Sequence, residues 1–275
     1  MIIVKIGGGR EINTEGIIKD LSSLNDEFII IHGANYVRDE LASQLGKPKT
    51  VLTSVTGYSS VFSDKSAIDI LMMAYSGLKN KRIVELCQQN GINAVGLSGI
   101  DGKMITGKRN QGIRIKENDK VKIVRDFSGK PKEVNDRLIK LLMSNGYTPV
   151  LCVPILDENN FAVSSENDDI VNILQKSLKA QKIIQLIESP GFLENKDDEK
   201  SLVKNISKEE LIKREESDEG RMKRKMLALR KLFEDGAAEI IIADGRTENP
   251  VKDALAGKGT IIKINNFEKL QNNTG

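Results

Sequence analysis

The chain has 275 residues, enough for one large domain or two intimate lobes. With 39% hydrophobic and 29% charged residues it has the balance of a soluble globular protein, which excludes a disordered chain. Forty-two Lys and Arg against 39 Asp and Glu leave a formal charge of +3, too small an excess to imply a nucleic-acid partner.

The first apolar run, Ile2–Ile6, predicts a buried strand that ends in Gly7-Gly8-Gly9. It follows Met1 with no basic leader and no cleavable segment, so no secretory signal is expected and a cytoplasmic location is. Ile17, Ile18, Leu21 and Leu24 have helical spacing, with Asn13 and Thr14 as N-cap candidates. Residues 28–31 predict a second strand, closed by His32-Gly33. Val37, Leu41 and Leu45 then predict a helix that Gly46 and Pro48 end. Strand, glycine turn and helix, twice over, predict an α/β fold with a parallel sheet.

A polar stretch over 50–63 leads into a long helical segment, 64–90, with an interruption expected near Ser76-Gly77. A strand at 93–97 follows. Apolar and polar residues alternate within 102–126, and Glu117-Asn118-Asp119 reads as a hairpin turn, an antiparallel excursion on one edge. Next come a helix at 138–143, a strand at 148–156, a helix at 168–178 and a strand at Lys182–Ile187. An acidic loop at 194–199 precedes helices at 207–215 and 219–233. Strands at 239–243 and 260–264 flank a short helix near 251–256. No apolar run approaches the ~20 residues that cross a bilayer, so no membrane partner is expected. Two cysteines, Cys87 and Cys152, exclude a disulfide scaffold, and a single histidine, His32, argues against a protein-built metal site.

Open α/β sheets bind ligands at their strand ends, so the glycine turns there carry the first functional signal. Gly7, Gly8 and Gly9 let backbone N–H groups approach a polyphosphate, and Lys5 sits as a charge on an otherwise buried strand. The alternative is a tight turn beside an edge-strand lysine. The run from Gly102 to Arg109 imitates a P-loop, but Arg109 stands where a magnesium-binding hydroxyl belongs, and alternation rather than a helix follows it. Gly220 to Met226 is densely basic and reads first as a solvated helix face, with nucleic-acid binding as the weaker reading. Ser164 to Asp169 precedes a helix and suits its dipole; Cys152 reads as a core thiol.

Taken in order, these pieces resemble one family. They are Val4-Lys5-Ile6-Gly7-Gly8-Gly9, His32-Gly33, Gly91 through Gly99, Asn145 through Val150, Asn167-Asp168 and Gly220-x-Met222-x-x-Lys225. The order is similar to that of the amino-acid kinase family, in its acetylglutamate kinase branch. Within the branch, the loops at 56–65 and 244–250 resemble those of archaeal and Thermus kinases acting on LysW-bound aminoadipate or glutamate.

The resemblance implies a three-layer αβα sandwich around a mainly parallel open sheet. It implies an acceptor-binding N-terminal lobe, 1–165, and an ATP-binding C-terminal lobe, 166–275, on one continuous sheet. The implied reaction phosphorylates a side-chain carboxylate from ATP, with magnesium arriving on the nucleotide. By position, Lys5 and Lys225 match two lysines that stabilise the transferring group, and Asp168 matches the aspartate that orients both. Gly7, Gly8, Gly9, Glu188, Gly191 and Phe192 match nucleotide-binding positions, although Glu188 replaces an aspartate. Gly33, Ala34, Asn35, Val61 and Ser164 match acceptor-binding positions, and here the chain departs from the family. A second glycine is replaced by Ala34, a substrate arginine by Val61 and a substrate asparagine by Ser164. Arg38 and Lys65 are candidates to replace the arginine. The expected partner is an acidic amino acid carried on an acidic amino-group carrier protein, and the expected assembly is a homodimer. An acetylglutamate kinase acting on the free N-acetyl acid and a diverged nucleotide-binding paralogue without turnover are the alternatives.

Overall fold

Isoleucine-rich segments dominate the centre of the molecule. The computed structural model describes residues 1–55, 59–117, 120–195, 197–217, 220–237 and 239–263, with the backbone alone at 59, 60, 208, 217 and 220–225. The N-terminal part runs β1 (Ile2–Ile6), α1 (Thr14–Leu21), β2 (Phe28–His32), α2 (Asn35–Gln44), β3 (Val51–Thr53) and β4 (Ser59–Val61). Then come α3 (Lys65–Leu71), a π-helix (Met72–Lys79), α4 (Asn80–Gln89) and β5 (Ala94–Ser98). Strands β6 (Ile105–Arg109), β7 (Ile113–Glu117), β8 (Lys120–Val124) and β9 (Gly129–Val134) precede α5 (Asp136–Ser144). Next are β10 (Thr148–Cys152), β11 (Ile155–Leu156), β12 (Ala162–Val163), α6 (Asn167–Leu178) and β13 (Lys182–Ile187). The chain continues through β14 (Asn205–Ile206), α7 (Lys208–Ser217), α8 (Gly220–Glu234), β15 (Glu239–Asp244), α9 (Pro250–Leu255) and β16 (Thr260–Lys263).

Eight strands form one sheet in the order β14-β16-β15-β13-β1-β2-β10-β5, parallel throughout except between β15 and β16. Alternate residues feed two separate cores. Ile3, Ile29 and Ile31 face one, with Ile170, Val171 and Leu174 of α6. Ile2, Val4, Ile6 and Ile30 face the other, with Ile17 and Leu21 of α1. A sheet buried on both faces is what near-continuous apolar runs specify, and the result is the expected three-layer αβα sandwich. A smaller sheet, β12-β11-β6-β9, and the hairpin β7-β8 form the antiparallel excursion. Among the described residues no helix is long and apolar enough to cross a membrane.

Three expectations need correction. The stretch at 50–63 contains the β3-β4 hairpin, which spacing missed because Val51 and Val55 point outward at 51% and 47% exposure. The segment 64–90 is not broken at Ser76-Gly77; the backbone stays helical and widens to π geometry over Met72–Lys79. The apolar run 148–156 divides at Val153-Pro154 into β10, in the main sheet, and β11, in the smaller one. The turn residues Asn118 and Asp119 lie outside the described residues.

Asn13 caps α1 as expected, its side chain accepting from Gly16 N at 2.9 Å. His32 is fully buried at the end of β2. Its Nδ1 lies 3.3 Å from the Gly33 carbonyl, and its Nε2 lies 3.2 Å from Asn80 Nδ2, a pattern that suits the neutral ring. Burial, reinforced by Lys79 and Lys81, lowers its pKa from 6.5 to about 3. The unfolded chain therefore takes up this proton first, and stability should fall as pH drops below about 6.5, by up to about 1.4 kcal/mol per unit. Because His32 is the chain's single histidine, urea titrations between about pH 5 and 6.5 should show this slope, and His32→Gln should flatten it. An unchanged slope in that variant would assign the acid sensitivity to other groups.

Candidate active site

Lys5 is the one charged residue in β1. Strand alternation puts it on the same face as Ile3, under α6, where an unpaired ammonium would be costly to desolvate. The first turn of α6 supplies the partner: Lys5 Nζ donates to Asp168 Oδ1 in a short ion pair, with side chains 13% and 39% exposed. The neighbouring Asn167 Nδ2 reaches the His32 carbonyl at 3.4 Å, which ties the start of α6 to the second glycine turn.

The two glycine turns touch backbone to backbone. Gly33 N donates to Ile6 O at 2.8 Å and Tyr36 N to Gly8 O at 2.9 Å. A Cβ on Gly8 would lie 2.7 Å from Asn35 N, 2.8 Å from Ala34 N and 2.9 Å from Gly33 C. The sequence suggested that Gly8 leaves room for a ligand; in the structure the space is taken by the second turn. Gly7 N is committed to Leu186 O at 2.9 Å and is not free to hold a phosphate. Among the described residues, the N–H groups of Gly8, Gly9 and Asn35 have no acceptor, so three donors collect where Lys5 and α6 converge.

Glu188 follows β13, beside β1, and its carboxylate packs on Gly9, with Oε1 accepting from Glu11 N at 2.6 Å. Gly191 approaches β16 so closely that a Cβ would meet Thr260 Oγ1 at 2.7 Å. Phe192 N donates to that hydroxyl at 2.8 Å, while its ring is buried in the core. Only the backbone of Phe192 is therefore available to a ligand. The 244–250 loop lies beside the first turn, where Asn13 N donates to Gly245 O at 2.7 Å and Asn13 Nδ2 to Thr247 O at 2.8 Å.

Val61 and Ser164 meet through Ser63, whose hydroxyl lies 2.9 Å from Ser164 Oγ and 3.5 Å from Val61 O. Val61 also lines a cleft of about 330 Å³ with Arg38, Lys47, Lys49, Phe62 and Ser66. Arg38 is thus beside the position of the missing arginine, whereas Lys65 is not among the lining residues. Arg38 Nε and Nη2 donate to Asp39 Oδ1 at 2.9 and 2.7 Å, and Lys49 pairs with the other oxygen. Burial opposes ionisation of Asp39, but its hydrogen bonds from Lys49 and Arg38 prevail and hold the carboxyl below its ordinary range. Lys225 belongs to α8, which packs on α6; its side chain lies outside the described residues. Spacing gave no functional signal for Tyr75, whose hydroxyl reaches Asn35, because it read only as one residue of a long helix.

A parallel sheet whose strand ends gather a paired lysine, an aspartate and unfilled amides defines an α/β phosphotransferase. Residues 1–244 match the sequence profile of the amino acid kinase family. The chain belongs to that family, and it is 39% identical over 269 residues to a LysW-aminoadipate kinase of Thermus thermophilus, covering 96% of this chain and all of that one. A LysW-aminoadipate kinase of Deinococcus radiodurans is 36% identical, covering 95% of this chain and 91% of its own length. A LysW-aminoadipate/LysW-glutamate kinase of Metallosphaera sedula is 31% identical, covering 95% of this chain and 100% of its own. Among solved structures, N-acetylglutamate synthase of Neisseria gonorrhoeae superposes with a TM-score of 0.76 at 17% identity, over 97% of this chain and 60% of that one. Carbamate kinase of Giardia gives 0.66 at 15% identity, over 96% and 98%. These two likenesses establish the fold.

Proposed function

We propose that the protein uses ATP to phosphorylate the side-chain carboxylate of aminoadipate or glutamate carried by its amino group on a LysW-type protein. The observation that carries this reading is the 39% identity to the Thermus kinase over nearly the whole chain. In the proposed step a carboxylate oxygen forms a bond to the γ-phosphorus as the bond to the ADP oxygen breaks, giving an acyl phosphate. The acceptor is already ionised, so no general base is required, and His32, buried and neutral, is not needed as one. The difficulty is bringing two anions together. Lys5 and Lys225 neutralise charge on the transferring group, Asp168 orients them, and the Gly8 and Gly9 amides hold phosphate oxygens. Magnesium would arrive with the nucleotide and neutralise phosphate charge there. Residues 166–275, through Glu188, Gly191 and the Phe192 backbone, take the nucleotide. Residues 1–165, through Gly33, Ala34, Asn35 and Val61, take the acid, with Ser164 at their edge. A cytoplasmic homodimer is part of the same reading.

The test is hydroxylamine trapping of the acyl phosphate with MgATP across free, N-acetylated and carrier-bound acids. Val61 offers no bidentate partner for a carboxylate, so a small free acid loses an anchor that protein–protein contacts supply to a tethered one. Carrier-bound acid should be turned over, and its kcat/KM should fall as ionic strength rises, because the chain is basic and the carrier is acidic. Val61→Arg should improve free N-acetylglutamate by about tenfold and the tethered acid less. Robust, salt-insensitive turnover of N-acetylglutamate by the unmodified protein would favour an acetylglutamate kinase. Trapping with none of the acids would favour a nucleotide-binding paralogue.

A further inference from the structure

Tyr75 stands apart from the residues that family resemblance and spacing single out. It lies on the π-helix, a geometry that concentrates at functional sites, and is 4% exposed. Its ring stacks on His32 with centroids 6.3 Å apart and planes at 23°. Its hydroxyl donates to Asn35 Oδ1 at 2.7 Å. Burial is the largest influence on that hydroxyl and raises its pKa, Arg38 and the Ala34 backbone oppose the rise, and Glu166 and Cys152 reinforce it. It is therefore a protonated donor at neutral pH. A donor at Oδ1 fixes which end of the Asn35 carboxamide is which, and it turns Nδ2 away from Tyr75. Among the described residues Nδ2 has no partner. Asn35 itself is exposed, and its backbone abuts Gly8. A phenylalanine would fill the same core space; what the hydroxyl adds is the orientation of one exposed amide beside the glycine turns.

We propose that Tyr75 is a positioning residue for phosphoryl transfer, holding Asn35 so that Nδ2 donates to the phosphoryl group carried at the Gly8 turn. The proposal rests on the phosphotransferase reading above, but it concerns the phosphoryl group and not the identity of the acid. One donor to a group gaining charge is worth about tenfold in rate.

The test uses the full chain with Tyr75→Phe, Asn35→Ala and the double variant. Two readouts are compared: kcat by hydroxamate formation, and calorimetric affinity for MgADP with and without aluminium fluoride as a mimic of the phosphoryl in flight. Tyr75→Phe should lower kcat and the gain in affinity from aluminium fluoride by about tenfold each, leaving the KM for ATP and the affinity for MgADP unchanged. Asn35→Ala should lose at least as much, and the double variant should be no worse than Asn35→Ala alone. A Tyr75→Phe protein that melts earlier yet keeps kcat and aluminium fluoride affinity would overturn the proposal, as would losses that multiply in the double variant. So would an unmodified chain that gains no affinity from aluminium fluoride. If the binding pattern holds while no acid is phosphorylated, the acceptor reading fails and the role of Tyr75 stands.

Discussion

Lys5→Ala should lower the single-turnover rate of phosphoryl transfer by about 10²–10³-fold while changing ATP affinity by less than about threefold. The asymmetry follows from where the ammonium is held. Lys5 projects from the central strand under the first turn of α6 and already has one carboxylate, Asp168, fixing its position. Its charge therefore meets the transferring group without reorganising, which favours the transition state over bound nucleotide. Asp168, 39% exposed, can be rehydrated when its partner is removed, so the variant should fold with little loss of stability. Rapid-quench kinetics beside ATP calorimetry separate the two effects. An equal loss in rate and affinity would make Lys5 a ground-state binding residue.

Gly8→Ala should abolish MgATP binding, weakening it by at least about 100-fold, and lower the melting temperature by several degrees, as overpacking costs about 1–3 kcal/mol. The added methyl would stand 2.7–2.9 Å from three backbone atoms of Gly33, Ala34 and Asn35. None of those atoms can swing aside, so the two turns must separate and the three free amides with them. Gly9→Ala makes a useful contrast: its methyl would collide only with the Glu188 carboxylate, the end of a flexible side chain. That variant should keep its stability while losing the Glu188 contact to the turn. Circular dichroism melts and nucleotide titrations of the two proteins check the difference. A Gly8→Ala chain that binds MgATP normally would refute the close-approach argument.

How much of this was legible in the sequence depended on whether the signal was local. The strands of the main sheet stood out because a sheet buried on both faces demands unbroken apolar runs, as in β2, β13 and β15. Lys5 stood out as a charge inside such a run. The π-helix was misread as a break because Gly77 mimics a helix stop, while hydrophobic spacing does not reveal the added residue. The β3-β4 hairpin was lost because its valines face solvent. Contacts between distant segments were invisible to spacing: Glu188 on Gly9, Asn167 at His32 and Ser164 against Ser63 all depend on chain crossings that only the fold creates. Glycine was recognised correctly at position 8, but for the wrong neighbour.

The π-helix also bears on how this sequence can change length. A π segment accommodates an inserted residue that an α-helix of the same rise would not hold. Everything C-terminal to Met72–Lys79 is phased by that extra residue. Deleting one residue there would let the segment relax to α geometry and rotate the following helix by about 100°. Ile83 and Cys87, both fully buried, would turn out of the core, and Asn80 would leave His32 and the Val150 carbonyl it now binds at 3.0 Å. Insertions and deletions that the exposed β7-β8 hairpin can absorb are therefore closed to this stretch, which behaves in evolution as a length-locked spacer between the acceptor half and its sheet.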